Sequence, residues 1–272
     1  MIRFVLVTLV LFFGPLPALH AEGDSPLKLL RTGDDSRGWE AVGRLNIDDR
    51  AMCTGTLIAP DLVLTAAHCL FDRDTGKRIP ASRIEFLAGW RNGWATAREW
   101  GKRAAILPDY VFDPHQSPVR VQHDIALLRL SRPIRKTSIT PFATAGRPAK
   151  WDKVEVVSYA RDRAQSPSLQ ESCRVLARQS GTLILSCDVD FGSSGAPVFV
   201  RKDGVPRVAL VISAKAEVGQ RKVSLAAAVE DRLELLMQQI EAAPPVRNGL
   251  PVVHRPGYDR RTGTGGARFI RP

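Results

Sequence analysis

The chain has 272 residues, with 39 Lys or Arg against 28 Asp or Glu, a formal charge of +11 and a hydrophobic content of 44%. That length admits two sizeable cores. The positive excess fits solubility and attraction to anionic surfaces, but no recognisable nucleic-acid module accompanies it, so specific nucleic-acid binding is not expected.

The chain opens with Arg3 and an apolar run over residues 4–13, broken by Gly14-Pro15-Leu16-Pro17. Ala18-Leu19-His20-Ala21 then supplies small residues for cleavage, so residues 1–21 read as a signal peptide cut after Ala21. The run is shorter than the roughly 20 residues that span a bilayer. No later stretch is long and apolar enough to span, so the expected product is soluble and exported, either periplasmic or secreted. Residues 22–38 are polar and read as an irregular lead-in or a short pro-segment.

Strand-like runs follow at short intervals: 39–46, 54–58, 62–65, 84–87 and 125–130. The second and third form a hairpin turning at Ala59-Pro60-Asp61. Gly89, Gly93 and Gly101 punctuate the region before the last, with Trp90, Trp94 and Trp100 read as core and cross-strand packing rather than a ligand cage. Residues 133–149, with three prolines, read as a linker. A second series covers 154–158, 171–176, 182–187, 196–200, 208–212 and 223–227. Many short strands without interleaved helices predict an all-β protein, here two barrels at about 39–140 and 151–228. Val229, Leu233, Leu236, Met237 and Ile240 then fall at helical spacing, predicting a C-terminal α-helix over 228–242 laid against the second barrel. Pro244-Pro245 ends it, and residues 244–272, with six Arg and one Asp, read as a flexible basic tail.

Cys53, Cys69, Cys173 and Cys187 are an even set in an exported chain, which suggests disulfides with three possible connectivities. The two local pairings would each close a loop worth about 3 kcal/mol. Zinc competes, but no Cys-x-x-Cys or paired His spacing supports it, so neither metal nor cofactor is expected.

Three stretches carry candidate chemistry. Gly192-Ser193-Ser194-Gly195-Ala196-Pro197 is a turn that could expose a serine hydroxyl beside two main-chain N–H groups, as an acyl-transfer nucleophile requires, though Gly, Ser and Pro are also ordinary turn residues. His68 follows a strand and adjoins Cys69. Asp124 enters the apolar run Ile125-Ala126-Leu127-Leu128, where a half-buried carboxylate needs a partner.

Together, residues 53–69 ending in Thr65-Ala66-Ala67-His68-Cys69, then His123-Asp124-Ile125-Ala126-Leu127-Leu128, then Gly192 to Pro197 resemble the trypsin-like, chymotrypsin-fold serine peptidases, in that family's His, Asp, Ser order. An α/β-hydrolase is excluded, because its elbow needs glycine where this chain has Ala196 and its triad order differs. The resemblance implies a peptidase domain over 39–243 made of two six-stranded antiparallel β-barrels packed together. It implies Ser194 as nucleophile, His68 as base, Asp124 as its orienting acid, and main-chain N–H groups of Gly192 and Ser194 as the oxyanion hole. It also places Ser213 in support of Asp124, joins Cys53 to Cys69, and matches Cys173 with Cys187.

Departures from the family also inform. Ser193 stands where zymogens carry the aspartate that pairs with a freed amino terminus, and no Ile-Val-Gly-Gly precedes the first strand. The run from Cys187 to Pro197 is similar to bacterial secreted peptidases of the glutamyl-endopeptidase-like branch. Asp188 and Lys215 are the candidate pocket residues, by their offsets from Ser194 and Ser213. The implied function is an exported serine endopeptidase acting on protein or peptide, expected as a monomer, with the basic tail a candidate for contact with an anionic cell-envelope surface. The alternative is a non-catalytic relative serving as a peptide- or surface-binding module.

Overall fold

A computed structural model describes residues 24–113 and 118–242. The signal-peptide and basic-tail readings therefore lie outside the described residues. The first elements are β1 (Lys28–Leu29), β2 (Val42–Ile47), β3 (Ala51–Ala59), β4 (Leu62–Thr65), β5 (Ile84–Ala88), β6 (Ala97–Ile106), the short helix α1 (Pro118–Val121) and β7 (Ala126–Leu130). The second series is β8 (Lys153–Ser158), β9 (Ser168–Gln179), β10 (Thr182–Leu185), β11 (Pro197–Lys202), β12 (Val205–Val218), β13 (Arg221–Ala228) and the helix α2 (Glu230–Ala242).

Strands β2 to β7 close into a barrel in the order β2-β3-β4-β7-β6-β5. The other six run β9-β10-β13-β12-β11-β8, and β8 pairs back on β9, with Val154 opposite Cys173, to close a second barrel. Closure removes the unpaired edges that an open sheet would present. The expected all-β architecture of two six-stranded antiparallel barrels with a C-terminal helix is what is found. The connecting residues 131–152 hold no strand, only one bridge from Thr144 to Val208.

The rings of Trp39, Phe142 and Phe199 join the barrels, with centroids 5.8 Å (Trp39–Phe142), 5.0 Å (Trp39–Phe199) and 4.7 Å (Phe142–Phe199) apart. Phe199 is wholly buried, so its truncation would cost about 3–5 kcal/mol and loosen the seam along which the site lies. Cys53 is bonded to Cys69 and Cys173 to Cys187, the two local pairings.

Several local expectations are corrected. β6 was read as Gly-punctuated loop, because its alternation of exposed Arg98, Trp100 and Lys102 with half-buried residues shows no apolar face. Gly101 there is a close-approach site, since a Cβ would lie 2.5 Å from the Ala81 carbonyl oxygen. Trp94 is 82% exposed and Trp100 46%, so neither is core. Helix α2 packs on β6 and β7 of the first barrel, not on the second. Buried Leu236 and Ile240 face that barrel's core, while Met237 is exposed. Lastly, the lead-in of residues 24–38 is irregular apart from the two-residue strand β1. β1 pairs with β9, Ser25 donates its N–H to Ser172, and Leu30 is wholly buried.

Candidate active site

His68 lies in a 3-10 turn (Ala67–Leu70) directly after β4, and the Cys53–Cys69 disulfide ties that turn to β3. Its main-chain N–H donates to Asp124 Oδ1 at 2.8 Å, and its Nδ1 lies 2.6 Å from Asp124 Oδ2. Asp124, just ahead of β7, is completely buried and accepts a further hydrogen bond from Ser213 Oγ. Ser213 sits in β12 where the register with β13 shifts between Ile212 and Ala214. Such a bulge bends the strand and re-aims a side chain, which explains how a second-barrel serine reaches a first-barrel carboxylate. Burial pushes the Asp124 carboxyl up, but attraction to His68 and hydrogen bonds from its ring, from Ser213 and from the His68 N–H outweigh it and hold the carboxyl below its ordinary range.

The turn bearing Ser194 is held open by two glycines at left-handed φ, +101° for Gly192 and +81° for Gly195. A Cβ on Gly195 would lie 2.1 Å from Thr65 Oγ1, and one on Gly192 would lie 2.4 Å from Met52 Cε. At Gly195 the Thr54 carbonyl oxygen, 2.2 Å from such a Cβ, also closes the space, and at both positions the positive φ strains any side chain. Along the turn the Ser193 N–H donates to Asp190 O (2.9 Å) and the Gly195 N–H to Ile212 O (2.7 Å). Among the described residues, the N–H groups of Gly192 and Ser194 donate to no protein acceptor. Two unspent donors flanking a serine hydroxyl are what an oxyanion site needs.

Ser194 and His68 line one cavity of about 370 Å³, together with Ser213, Asp190, Phe191, Lys215 and Arg73. No hydrogen bond joins Ser194 to His68 among the described residues, a spacing common in sites without substrate. A second cavity, of about 420 Å³, shares His68, Arg73 and Phe191 and runs beside the Cys53–Cys69 disulfide. The Cys53, His68 and Cys69 ligand atoms lie close together, but both sulfurs are in the disulfide and so are not the thiolates a metal takes.

Asp188 is not in the cavity with Ser194. It is exposed and lines a neighbouring one of about 440 Å³, which the first meets at Val189, Asp190 and Lys215. The boundary between them is an ion pair, Lys215 Nζ to Asp190 Oδ1 at 2.6 Å, with the ammonium 4.1 Å from the Phe191 ring centre. The hydrogen bond from Lys215, then that from the Phe191 N–H, holds the Asp190 carboxyl below its ordinary value. Sequence reasoning placed Lys215 here but missed Asp190 and Phe191 as its partners. It also missed Thr54, a wholly buried strand residue whose main chain and hydroxyl both bond the Ser194 turn.

A family model described as the trypsin-like peptidase domain matches residues 53–206. The chain belongs to that family. Its serine-peptidase relatives include mouse (Mus musculus) Serine protease 23, 29% identical over 168 residues, which cover 55% of this chain and 43% of the relative. Brachyurin of Leptuca pugilator is 30% identical over 113 residues, 41% of this chain and 44% of that one. The chain thus spans under half the length of these curated relatives. A solved structure, described as Glu endopeptidase in complex with MPD, matches with a TM-score of 0.65 at 15% identity, over 81% of this chain and 99% of that one. At that identity the likeness concerns the fold, the two-barrel fold of trypsin-like serine peptidases.

Proposed function

We propose that the protein is an exported serine endopeptidase that hydrolyses peptide bonds through an acyl-enzyme on Ser194. The observation that carries this reading is one cavity shared by Ser194 and His68, with His68 held at Nδ1 by the fully buried Asp124. His68 Nε2 takes the hydroxyl proton as Ser194 Oγ adds to the scissile carbonyl carbon. The proton then passes to the leaving amine, the C–N bond breaks, and the acyl ester remains. Water adds to that ester with His68 again as base, freeing the acid product and restoring Ser194. Asp124 fixes the imidazole tautomer and favours the imidazolium, and Ser213 supports Asp124. The Gly192 and Ser194 N–H groups receive the oxyanion, a role in which losing one donor typically costs about 100- to 1,000-fold.

Export is part of the proposal. Two disulfides support an oxidising compartment, and among the described residues no helix is long and apolar enough to cross a membrane. The test is a fluorophosphonate probe on the purified mature protein beside Ser194→Ala, with a mixed peptide library as substrate. Labelling and cleavage that both depend on Ser194 are expected. A wild-type protein that neither labels nor cleaves would overturn the reading and leave the binding-module alternative.

A further inference from the structure

We infer that Thr54 and Ser193 are positioning residues whose buried hydroxyls hold the turn from Gly192 to Ser194 in its donor-presenting shape. The inference rests on the reading of Ser194 as nucleophile. Both side chains are wholly buried. From β3 of the first barrel, Thr54 donates its N–H to Ser194 O at 2.8 Å and its Oγ1 to Gly192 O at 2.9 Å, and Oγ1 accepts the Tyr159 N–H at 3.1 Å. From within the turn, Ser193 Oγ donates to Tyr159 O at 3.1 Å, lies 3.3 Å from Ser158 Oγ, and accepts the Asp190 N–H at 3.3 Å.

The two hydroxyls thus grip opposite polar groups of one residue, Tyr159. That residue is itself fixed, with its ring fully buried and its hydroxyl donating to Trp90 O at 2.8 Å. Two residues on, the Arg161 N–H donates to Phe191 O at 2.7 Å. A trans peptide is planar, with its C=O and N–H pointing opposite ways. Pinning Phe191 O to Arg161 therefore turns the Gly192 N–H away from the second barrel's body. Pinning Ser193 O to the Ala196 N–H, at 2.9 Å, does the same for the Ser194 N–H. Residues 158–161 thus form a template for the turn, and Thr54 and Ser193 are the side chains that clamp the turn to it.

The experiment compares Thr54→Val, Thr54→Ser and Ser193→Ala with wild type, measuring kcat and KM on a peptide ester and the affinity of a peptide boronate, which occupies the oxyanion position. Thr54→Val keeps size and main chain but deletes the hydroxyl. It should lower kcat on the order of 10- to 100-fold, as small misplacements of reacting groups do, with KM unchanged and boronate affinity falling in step. Thr54→Ser should restore both, and Ser193→Ala should fail in the same direction as Thr54→Val. Wild-type kcat in both hydroxyl deletions, or a Thr54→Ser variant as impaired as Thr54→Val, would each overturn the inference while leaving the peptidase reading intact. A wild type without Ser194-dependent turnover or boronate binding would overturn both.

Discussion

The first barrel delivers His68 and Asp124 from buried positions at strand ends, whereas the second, beside its buried Ser193 and Ser213, presents Asp190, Phe191 and Lys215 on a wall that solvent reaches. His68 and Asp124 are 6% and 0% exposed. In the second barrel Phe191 is 47% exposed, and the Lys215 and Asp190 side chains are each 47% exposed. A buried imidazole–carboxylate pair is costly unless fully bonded, so its geometry is over-determined by a disulfide, a main-chain N–H and Ser213. The exposed wall carries no such constraint, and exposed ion pairs contribute only about 0–1 kcal/mol. On the proposed reading, the difference separates two tasks: proton handling is set where water is excluded, and selection is set where side chains can change cheaply.

The largest effect should come from breaking the buried side. Asp124→Asn removes the charge that orients His68, and turnover should fall about 10,000-fold, read from kcat on a peptide ester. The same variant tests the titration. In the folded protein Asp124 loses its proton below its ordinary value of 3.8, so folding favours the charged form. That contribution is complete above 3.8 and is lost as pH falls through the lower folded value. Urea midpoints measured down to pH 2 should show this loss in wild type and lack it in Asp124→Asn; parallel curves would mean that Asp124 is not held charged.

The disulfides sharpen the contrast. Replacing either cysteine pair by alanine should cost about 3 kcal/mol in thermal or urea unfolding. Loss of Cys53–Cys69 frees the turn carrying His68 and should lower kcat. Loss of Cys173–Cys187 frees the chain leading to Val189 and Asp190 and should raise KM with kcat kept. If both losses fell on the same constant, the division of tasks between barrels would fail. The smallest effect on stability, under about 1 kcal/mol, is expected for Lys215→Ala, given the exposure of its ion pair. Its consequence should appear in cleavage-site profiles, as a changed preference for the residue before the scissile bond. An unchanged profile would remove the Asp190–Lys215 wall from selection.

The same contrast explains what could be read from residues alone. His68, Asp124 and Ser194 were legible together through the resemblance of their three stretches to the trypsin-like peptidases, and the apolar runs around them marked most strands. Ser213 was placed by counting along a strand, and its bulge keeps it on the Asp124 side. Asp188 was placed by its offset from Ser194, which says nothing of which of two adjoining cavities a loop residue lines. β6 was missed because one of its faces is solvated and polar. The seat of α2 was misjudged because an apolar stripe at helical spacing does not say which barrel it covers. Thr54 had no signal at all, since a threonine in a strand is ordinary and only the tertiary approach of Gly192 and Tyr159 gives its hydroxyl a task.

The pairing of β1 with β9 has a bearing on how the chain comes to be folded. Ser25 and Ser172 are 147 positions apart, yet they exchange hydrogen bonds. A chain made from its N-terminus presents Lys28 and Leu29 before their partner strand has emerged. Closing so wide a loop is slow, because its entropy is lost before any contact rewards it. β1 therefore cannot be seated before β9 is available to pair with it.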